Sequence, residues 1–181
     1  MTDSEWLRLD RQICFSLHAA SRAFNGVYRV VLKDLGLTYP QYLVMLVLWE
    51  EGDLPVKKLG ERLRLDSGTL SPLVKRLEAA GLVRRERSAA DERSVLVRVT
   101  GEGAALRERA LEVPRRIGSA TGFDLAEIGA LRDRLDRLTA ALDAAARTEA
   151  AWTEPGRTEA ARTEAVRTEA GRRPGGRRAV R

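Results

Sequence analysis

The stretch VKKLGERLRLDSGTLSPLVKRLEAAGLVRRERSAADERSVLVRVT, residues 56–100, says more about the architecture than the rest of the chain. Val56, Leu59 and Leu63 recur at steps of three and four and mark one apolar helical stripe; after the break Leu65-Asp66-Ser67-Gly68, a second stripe follows at Leu70, Leu73, Val74 and Leu77. Two amphipathic helices joined by about one turn's worth of residues form a helix-turn-helix. Asp66 or Ser67 caps the second helix and leaves its N-terminal amides open to an anion. On that helix Ser67, Ser71 and Lys75 follow at steps of four, flanked by Thr69 and Arg76, so hydroxyls and cations face away from the core. Such a surface suits a DNA major groove, where hydroxyls bond to base edges or phosphates and cations to guanine or phosphate oxygens. Pro72 is out of place, because a proline past the first turn deletes a backbone bond and bends a helix.

Gly81 is a helix terminator, and the residues after it read strand, tip, strand: Leu82 to Arg87, then the polar Ser88 to Arg93, then Ser94 to Val99. Alternation of Val95, Val97 and Val99 supports the second strand, and a six-residue connection suits a hairpin that projects from the body. Arg93 at the tip can enter a minor groove, with Asp91 beside it holding the guanidinium in place. Helix, turn, helix, strand, basic tip and strand in one short run make a winged helix-turn-helix. The fold class expected is mainly α with a small β-hairpin wing.

These residues also resemble a known family. Asp66-Ser-Gly-Thr-Leu-Ser-Pro-Leu, Lys75-Arg-Leu-Glu, Gly81-Leu-Val and Asp91-Glu-Arg-Ser are similar to the MarR family of bacterial winged-helix regulators. Leu9-Asp-x-Gln-x-Cys-Phe and Thr38-Tyr-Pro-Gln-Tyr resemble, more narrowly, its organic-hydroperoxide-sensing repressors. The resemblance spans roughly residues 5 to 145 and implies a dimer built from the N- and C-terminal helices.

Composition sets bounds. A chain of 181 residues with 44% hydrophobic content has room for a real core. The net charge of +6 is not spread evenly: residues 172–181 hold five arginines and no acid, and residues 147–171 hold four arginines against five glutamates, which leaves +2 for residues 1–146. Overall basicity is a property of the tail, so the case for DNA rests on where charge sits in the folded part. No apolar run approaches the ~18 residues of a membrane span, and the start lacks the order of a signal peptide, which predicts a cytoplasmic protein without a membrane partner. One cysteine and one histidine, His18, exclude an intrachain disulfide and any metal site built on several thiolates or imidazoles. No cofactor or metal is implied.

The remaining segments read as helices. Residues 10–34 carry Cys14, Leu17, Ser21, Phe24, Tyr28 and Val31 at helical spacing, with Asp10 as N-cap candidate and Thr2 or Ser4 as alternatives. Thr38-Tyr39-Pro40-Gln41 is a capping-box pattern opening a helix that runs to Glu51; unbroken apolar sequence from Leu43 to Trp49 requires burial all round. Beyond the hairpin, Ala104 to Ile117 reads as a helix interrupted near Pro114, and Asp124-x-x-Glu127 opens a last one. There Ile128, Leu131, Leu135, Leu138, Leu142 and Ala145 form an apolar seam, which points to pairing between subunits. A two-fold dimer carries two reading heads, so its target is an imperfect palindromic operator with half-site centres about 34 to 36 Å apart. From Arg147 the chain turns into RTEA-like pentads and then RRPGGRRAVR; period five builds no continuous apolar face, so residues 147–181 are expected to be a disordered tail behind a domain at 1–146. Its basic end either adds weak attraction to DNA or does nothing.

Two readings stand for Cys14: an inert core thiol, or a sensor favoured as thiolate by the positive end of its helix. The subgroup resemblance implies the second, with an organic hydroperoxide oxidising Cys14 to a sulfenic acid and Tyr28 and Tyr39 donating hydrogen bonds to the sulfur. Tyr28 follows Cys14 by fourteen residues, about 21 Å along one straight helix, so the two meet only if Tyr28 comes from the partner subunit. Without a second cysteine, the sulfenic acid captures a low-molecular-weight thiol or oxidises further. Ordinary packing remains the other reading of the tyrosines. Three rival functions are a relative that binds a small aromatic ligand, a thiol peroxidase using Cys14, and an interaction scaffold that binds no DNA.

Overall fold

In the computed structural model, which describes residues 3–87 and 94–153, the chain begins with α1 (Asp3–Trp6), a 3-10 turn (Leu9–Arg11), α2 (Ile13–Val31) and a second 3-10 turn (Lys33–Leu35). It continues through α3 (Tyr39–Glu51), β1 (Leu54–Pro55), α4 (Val56–Leu63) and α5 (Ser67–Ala79) to β2 (Val83–Arg87) and β3 (Val95–Val99), and ends in α6 (Gly101–Ala110), α7 (Glu112–Thr121) and α8 (Leu125–Thr153). The expected class is found: helices with a small antiparallel sheet. The tip residues Asp91 and Arg93 and the tail past Thr153 lie outside the described residues.

Helix α3 is the centre of the first unit, residues 1–123. Tyr42, Val44, Met45, Val47 and Leu48 are buried, whereas Leu43 and Trp49 are half-buried and Leu46 is 37% exposed, so the burial that its sequence requires is not complete all round. The capping box forms: Gln41 Oε1 accepts from the Thr38 backbone N–H at 2.9 Å, and Pro40 sits in the first turn where no N–H is needed. Around α3 pack Leu59 of α4, Leu70, Val74 and Leu77 of α5, Val83 and Val97 of the sheet, and Leu106 and Val113 behind them. Each fully buried leucine contributes about 1.5–3 kcal/mol.

The hairpin appears at the positions its alternation predicts, with Val83 opposite Val99 and Arg87 opposite Val95. The sequence reading did not contain β1, which pairs antiparallel with β3 through Leu54 and Val97 and gives the order β1-β3-β2. Thr100 ties the end of the sheet to α6: its hydroxyl donates to the Gly81 carbonyl at 2.6 Å and accepts from the Gly103 N–H at 3.0 Å. Gly103 must be glycine, because a Cβ there would stand 2.1 Å from the Leu82 carbonyl oxygen. Trp49 closes the same corner by donating its indole N–H to the Gly103 carbonyl at 2.9 Å.

Two expectations are corrected. The first long helix starts at Ile13, not Asp10; Asp10 lies in the 3-10 turn, where Arg8 grips its carboxylate at 2.8 and 3.0 Å, and it caps nothing. The break expected near Pro114 falls at Leu111. Proline has no N–H to offer the Ala110 carbonyl four residues back, so the chain restarts as α7 with Pro114 in its first turn. The described residues form two compact units that meet in sequence at Phe123–Asp124.

The second unit consists of α8. Its start is a reciprocal cap: Asp124 N–H donates to Glu127 Oε2 at 2.9 Å and Glu127 N–H to Asp124 Oδ1 at 2.8 Å. Leu131, Leu135 and Leu142 of the seam are exposed, and the helix runs on to Thr153, into the pentads that begin at Arg147.

Candidate DNA-reading head and sensor site

Asp66 settles the choice of cap for α5. Its Oδ1 accepts the Thr69 N–H and its Oδ2 the Thr69 hydroxyl, both at 2.9 Å, and these bonds hold the carboxyl below the usual aspartate range. Ser67 and Gly68, placed in the break by their sequence, are the first residues of the helix. The turn before it is tight: Arg64 takes a left-handed φ of 54°, and a Cβ on Gly60 would come within 2.8 Å of the Leu65 carbonyl oxygen.

With Leu70, Leu73, Val74 and Leu77 buried, helical geometry puts Gly68, Pro72, Lys75 and Ala79 on the opposite crest. Thr69 and Arg76 lie on one shoulder. Ser67 and Ser71 lie on the other, where they line a groove shared with Lys57 and Gly60 of α4 and Arg85 and Val95 of the hairpin. Ser71 is only half exposed, so the outward line of Ser67, Ser71 and Lys75 read from the spacing is a shoulder leading to a crest. Helix α5 passes through Pro72 unbroken, and the missing N–H leaves the exposed Gly68 carbonyl without its helical partner.

Ion pairs sort the cations of this region. Glu78 of α5 accepts the Arg85 backbone N–H at 2.9 Å and its guanidinium at 2.7 Å, which clamps the hairpin to α5 and depresses the Glu78 carboxyl. Arg98 bridges Asp53 at 2.6 Å and Glu86 at 2.7 Å, and Arg84 also reaches Glu86 at 2.9 Å. Lys58 pairs with Glu61, and Arg62 with Glu50 and Glu51. Among the described residues, Lys75, Arg76 and Arg87 have no acidic partner, whereas Lys57 and Lys58 both face Glu61. A cation left unpaired can neutralise a phosphate without first breaking an ion pair. Sequence reasoning found Lys75 and Arg76, but missed Arg87 and the Glu78–Arg85 clamp, whose signal is the two-residue alternation of β2.

Cys14 is the second residue of α2 and exposed. The inert-core reading does not fit this chain by itself. No side chain caps α2: Gln12 stands at the cap position, but its amide turns back to the carbonyls of Trp6 and Arg8. The first-turn placement therefore survives the loss of the Asp10 cap. Around the thiol, Ile13, Phe15 and Leu17 are exposed as well.

The tyrosines come together elsewhere. The Tyr28 and Tyr39 ring centroids are 4.3 Å apart, with Tyr42, the last residue of the Thr38-Tyr-Pro-Gln-Tyr motif and given no sensor role by the sequence, 6.2 Å from Tyr28. Burial, with smaller contributions from the neighbouring phenols, pushes Tyr28 up to about 12; burial also raises Tyr39 and Tyr42. All three are neutral donors at physiological pH. Cys14 and Tyr28 sit on the same unbroken helix, about 21 Å apart at 1.5 Å per residue, so one chain does not assemble thiol and phenols into one site. Among the described residues no helix is long and apolar enough to cross a membrane, and no cluster of potential metal ligands is found.

Comparison with known proteins accords with this geometry. Residues 26–109 match the family model described as transcriptional regulator SarA/Rot. The chain is 51% identical over 138 residues to the HTH-type transcriptional regulator TtmR of Methylorubrum extorquens, covering 76% of this chain and 71% of the relative. It is 48% identical over 125 residues to the organic hydroperoxide resistance transcriptional regulator of Bacillus subtilis, covering 67% and 85%. Among solved structures, the reduced regulator AbfR bound to DNA aligns with a TM-score of 0.66 at 37% identity, covering 78% of this chain and 99% of that one; overoxidized AbfR, also bound to DNA, aligns at 0.65.

Proposed function

The chain belongs to the SarA/Rot and MarR-like family of winged-helix DNA-binding transcription regulators, which are not enzymes, and from that premise we propose that it is a repressor released from its operator when an organic hydroperoxide oxidises Cys14. The observation that carries this reading is the exposed thiol on the first turn of α2, set among uncovered apolar side chains. Its likeness to the hydroperoxide resistance regulator of Bacillus subtilis supports the choice of oxidant.

In this reading two chains pair through the exposed apolar positions of their terminal helices. The partner's α2 runs antiparallel to the first, which brings the partner's tyrosine pair to Cys14. The thiolate attacks the terminal oxygen of the hydroperoxide, the O–O bond breaks, and the alkoxide takes up a proton and leaves as an alcohol. The sulfur is left as a sulfenic acid, to which Tyr28 and Tyr39 donate hydrogen bonds. With one cysteine per chain, a low-molecular-weight thiol condenses with it, releasing water and forming a mixed disulfide. AbfR is found on DNA even when overoxidized, which favours the bulky thiol adduct over further oxidation as the releasing form. Weakening DNA binding a hundredfold needs about 2.7 kcal/mol of preference for the incompetent dimer.

The reading head then uses Asp66 and Thr69 to fix the start of α5, and Ser67, Ser71, Lys75 and Arg76 to contact an imperfect palindrome in the cytoplasm. Asp91 and Arg93 act from the hairpin tip. The deciding measurement is affinity for the DNA upstream of the chain's own coding region before and after stoichiometric cumene hydroperoxide. Release by the oxidant supports the proposal; release by salicylate-like compounds alone turns it toward ligand sensing, and catalytic consumption of hydroperoxide with a thiol reductant toward a peroxidase.

A further inference from the structure

Strand β2 has two chemically different faces. Alternation places Arg84 and Glu86 on one and Val83, Arg85 and Arg87 on the other. The first face is electrically closed, since Glu86 takes both Arg84 and Arg98, and Arg98 takes Asp53 as well. The second is the face turned to α5, because Val83 is buried in the core and Arg85 is held by Glu78. Two residues further out, about 7 Å along the strand, Arg87 leaves the same face. It is exposed, it stands opposite the exposed Val95, and among the described residues no acid meets it.

We propose that Arg87 is a DNA-backbone contact: a guanidinium presented from the body of the wing, on its α5 side, that binds a phosphate of the strand running between the recognition helix and the hairpin. Three features support a phosphate contact, the first of them against a base contact. The residue stands on a strand behind the tip, so it meets the duplex at its wall. The Glu78–Arg85 clamp fixes its distance from α5, where Lys75 and Arg76 are the other unpaired cations. A guanidinium also offers the paired donors that a phosphate accepts. The neighbouring arginines show the contrast: Arg85 is committed to holding the hairpin, and Arg84 to Glu86.

The test uses the full chain carrying Arg87→Gln, with Arg87→Lys and Arg84→Gln beside it. Binding is titrated against the upstream duplex and a mixed-sequence duplex over a range of salt. A phosphate contact predicts that Arg87→Gln weakens both complexes alike, by roughly 3- to 10-fold at physiological salt, and flattens the plot of log affinity against log salt by about 0.9 per reading head. Arg87→Lys keeps the salt slope, and Arg84→Gln changes affinity less than about twofold. An unchanged slope for Arg87→Gln overturns the proposal. So does a loss confined to the upstream duplex, which marks a base-reading residue, or a lower melting temperature with an unchanged slope, which marks a structural one.

Discussion

The reading head and the first half of α2 treat their apolar side chains in opposite ways. In the head, Leu59, Leu77 and Val97 are 0% exposed, and the surface is closed by a cap at Asp66, a clamp at Glu78 and a bridge at Arg98. In the opening of the chain, Trp6, Leu9, Ile13 and Phe15 are 62%, 60%, 66% and 43% exposed. One region is finished by its own chain; the other has an apolar surface of a kind that soluble monomers rarely leave open. The difference teaches where a signal can act. If two chains pair through this surface as proposed, chemistry at Cys14 does not need to deform the head to change how two heads are spaced.

The largest effect that can break this contrast is loss of a core leucine. Leu59→Ala leaves a hole between α4 and α3 and costs about 2–5 kcal/mol of folding stability. It should leave the strength of self-association, measured by sedimentation, unchanged. Phe15→Asp should do the reverse and weaken self-association while the head keeps its fold. If Leu59→Ala disrupted association as strongly as Phe15→Asp, the two regions would not be separable. Next in size is the switch itself: Cys14→Ser should bind operator as tightly as the parent and lose the hundredfold release by hydroperoxide, about 2.7 kcal/mol of response. A serine variant that still releases DNA would remove the sensor from α2.

The parts legible in the sequence were those whose signal is local. The Thr38–Gln41 and Asp124–Glu127 caps each close within four residues, and the stripes of α4 and α5 repeat within a turn. Strand β1 escaped because two residues carry no period, and its partner Val97 lies far along the chain. Asp10 misled because a good capping residue is equally a good partner for Arg8, and only the folded turn decides between them. The candidate site divides the same way. Residue types at Cys14, Lys75 and Arg76 were readable, but which cations keep a free charge depends on acids brought from other elements, such as Asp53 for Arg98. The separation of Cys14 from Tyr28 followed from counting residues on one helix, whereas the stacking of Tyr28 on Tyr39 required the packing of α3 against α2.

A smaller effect sharpens the picture of the finished region. Thr100 both caps α6 and donates to the Gly81 carbonyl, so Thr100→Ala removes a cap and strands a partly buried acceptor. The expected cost is about 1–2 kcal/mol in chemical denaturation, with DNA affinity at low denaturant little changed. A loss under about 0.3 kcal/mol would mean that the sheet and α6 are held by packing alone.

The smallest effect at neutral pH concerns Tyr28, which stands at the end of α2 where the open surface gives way to the core. Burial raises its phenol from 10.0 to about 12, so the folded chain holds this proton more tightly than the unfolded one. Below pH 10 both states keep the proton and stability is flat. Between pH 10 and about 12 the unfolded chain releases it first, so stability falls as pH rises. Phenolate absorbance should show Tyr28 titrating last of the three tyrosines, and Tyr28→Phe should remove that phase and lessen the alkaline loss of stability, to which the raised Tyr39 and Tyr42 also contribute. The same shift matters for the sensor. A phenol that stays protonated far above physiological pH would always be available to donate to the sulfur of a partner chain in the proposed dimer. Were Tyr28 to titrate with exposed phenols, the aromatic cluster would be open to water, and the pairing of a buried donor with an exposed thiol would lose its footing.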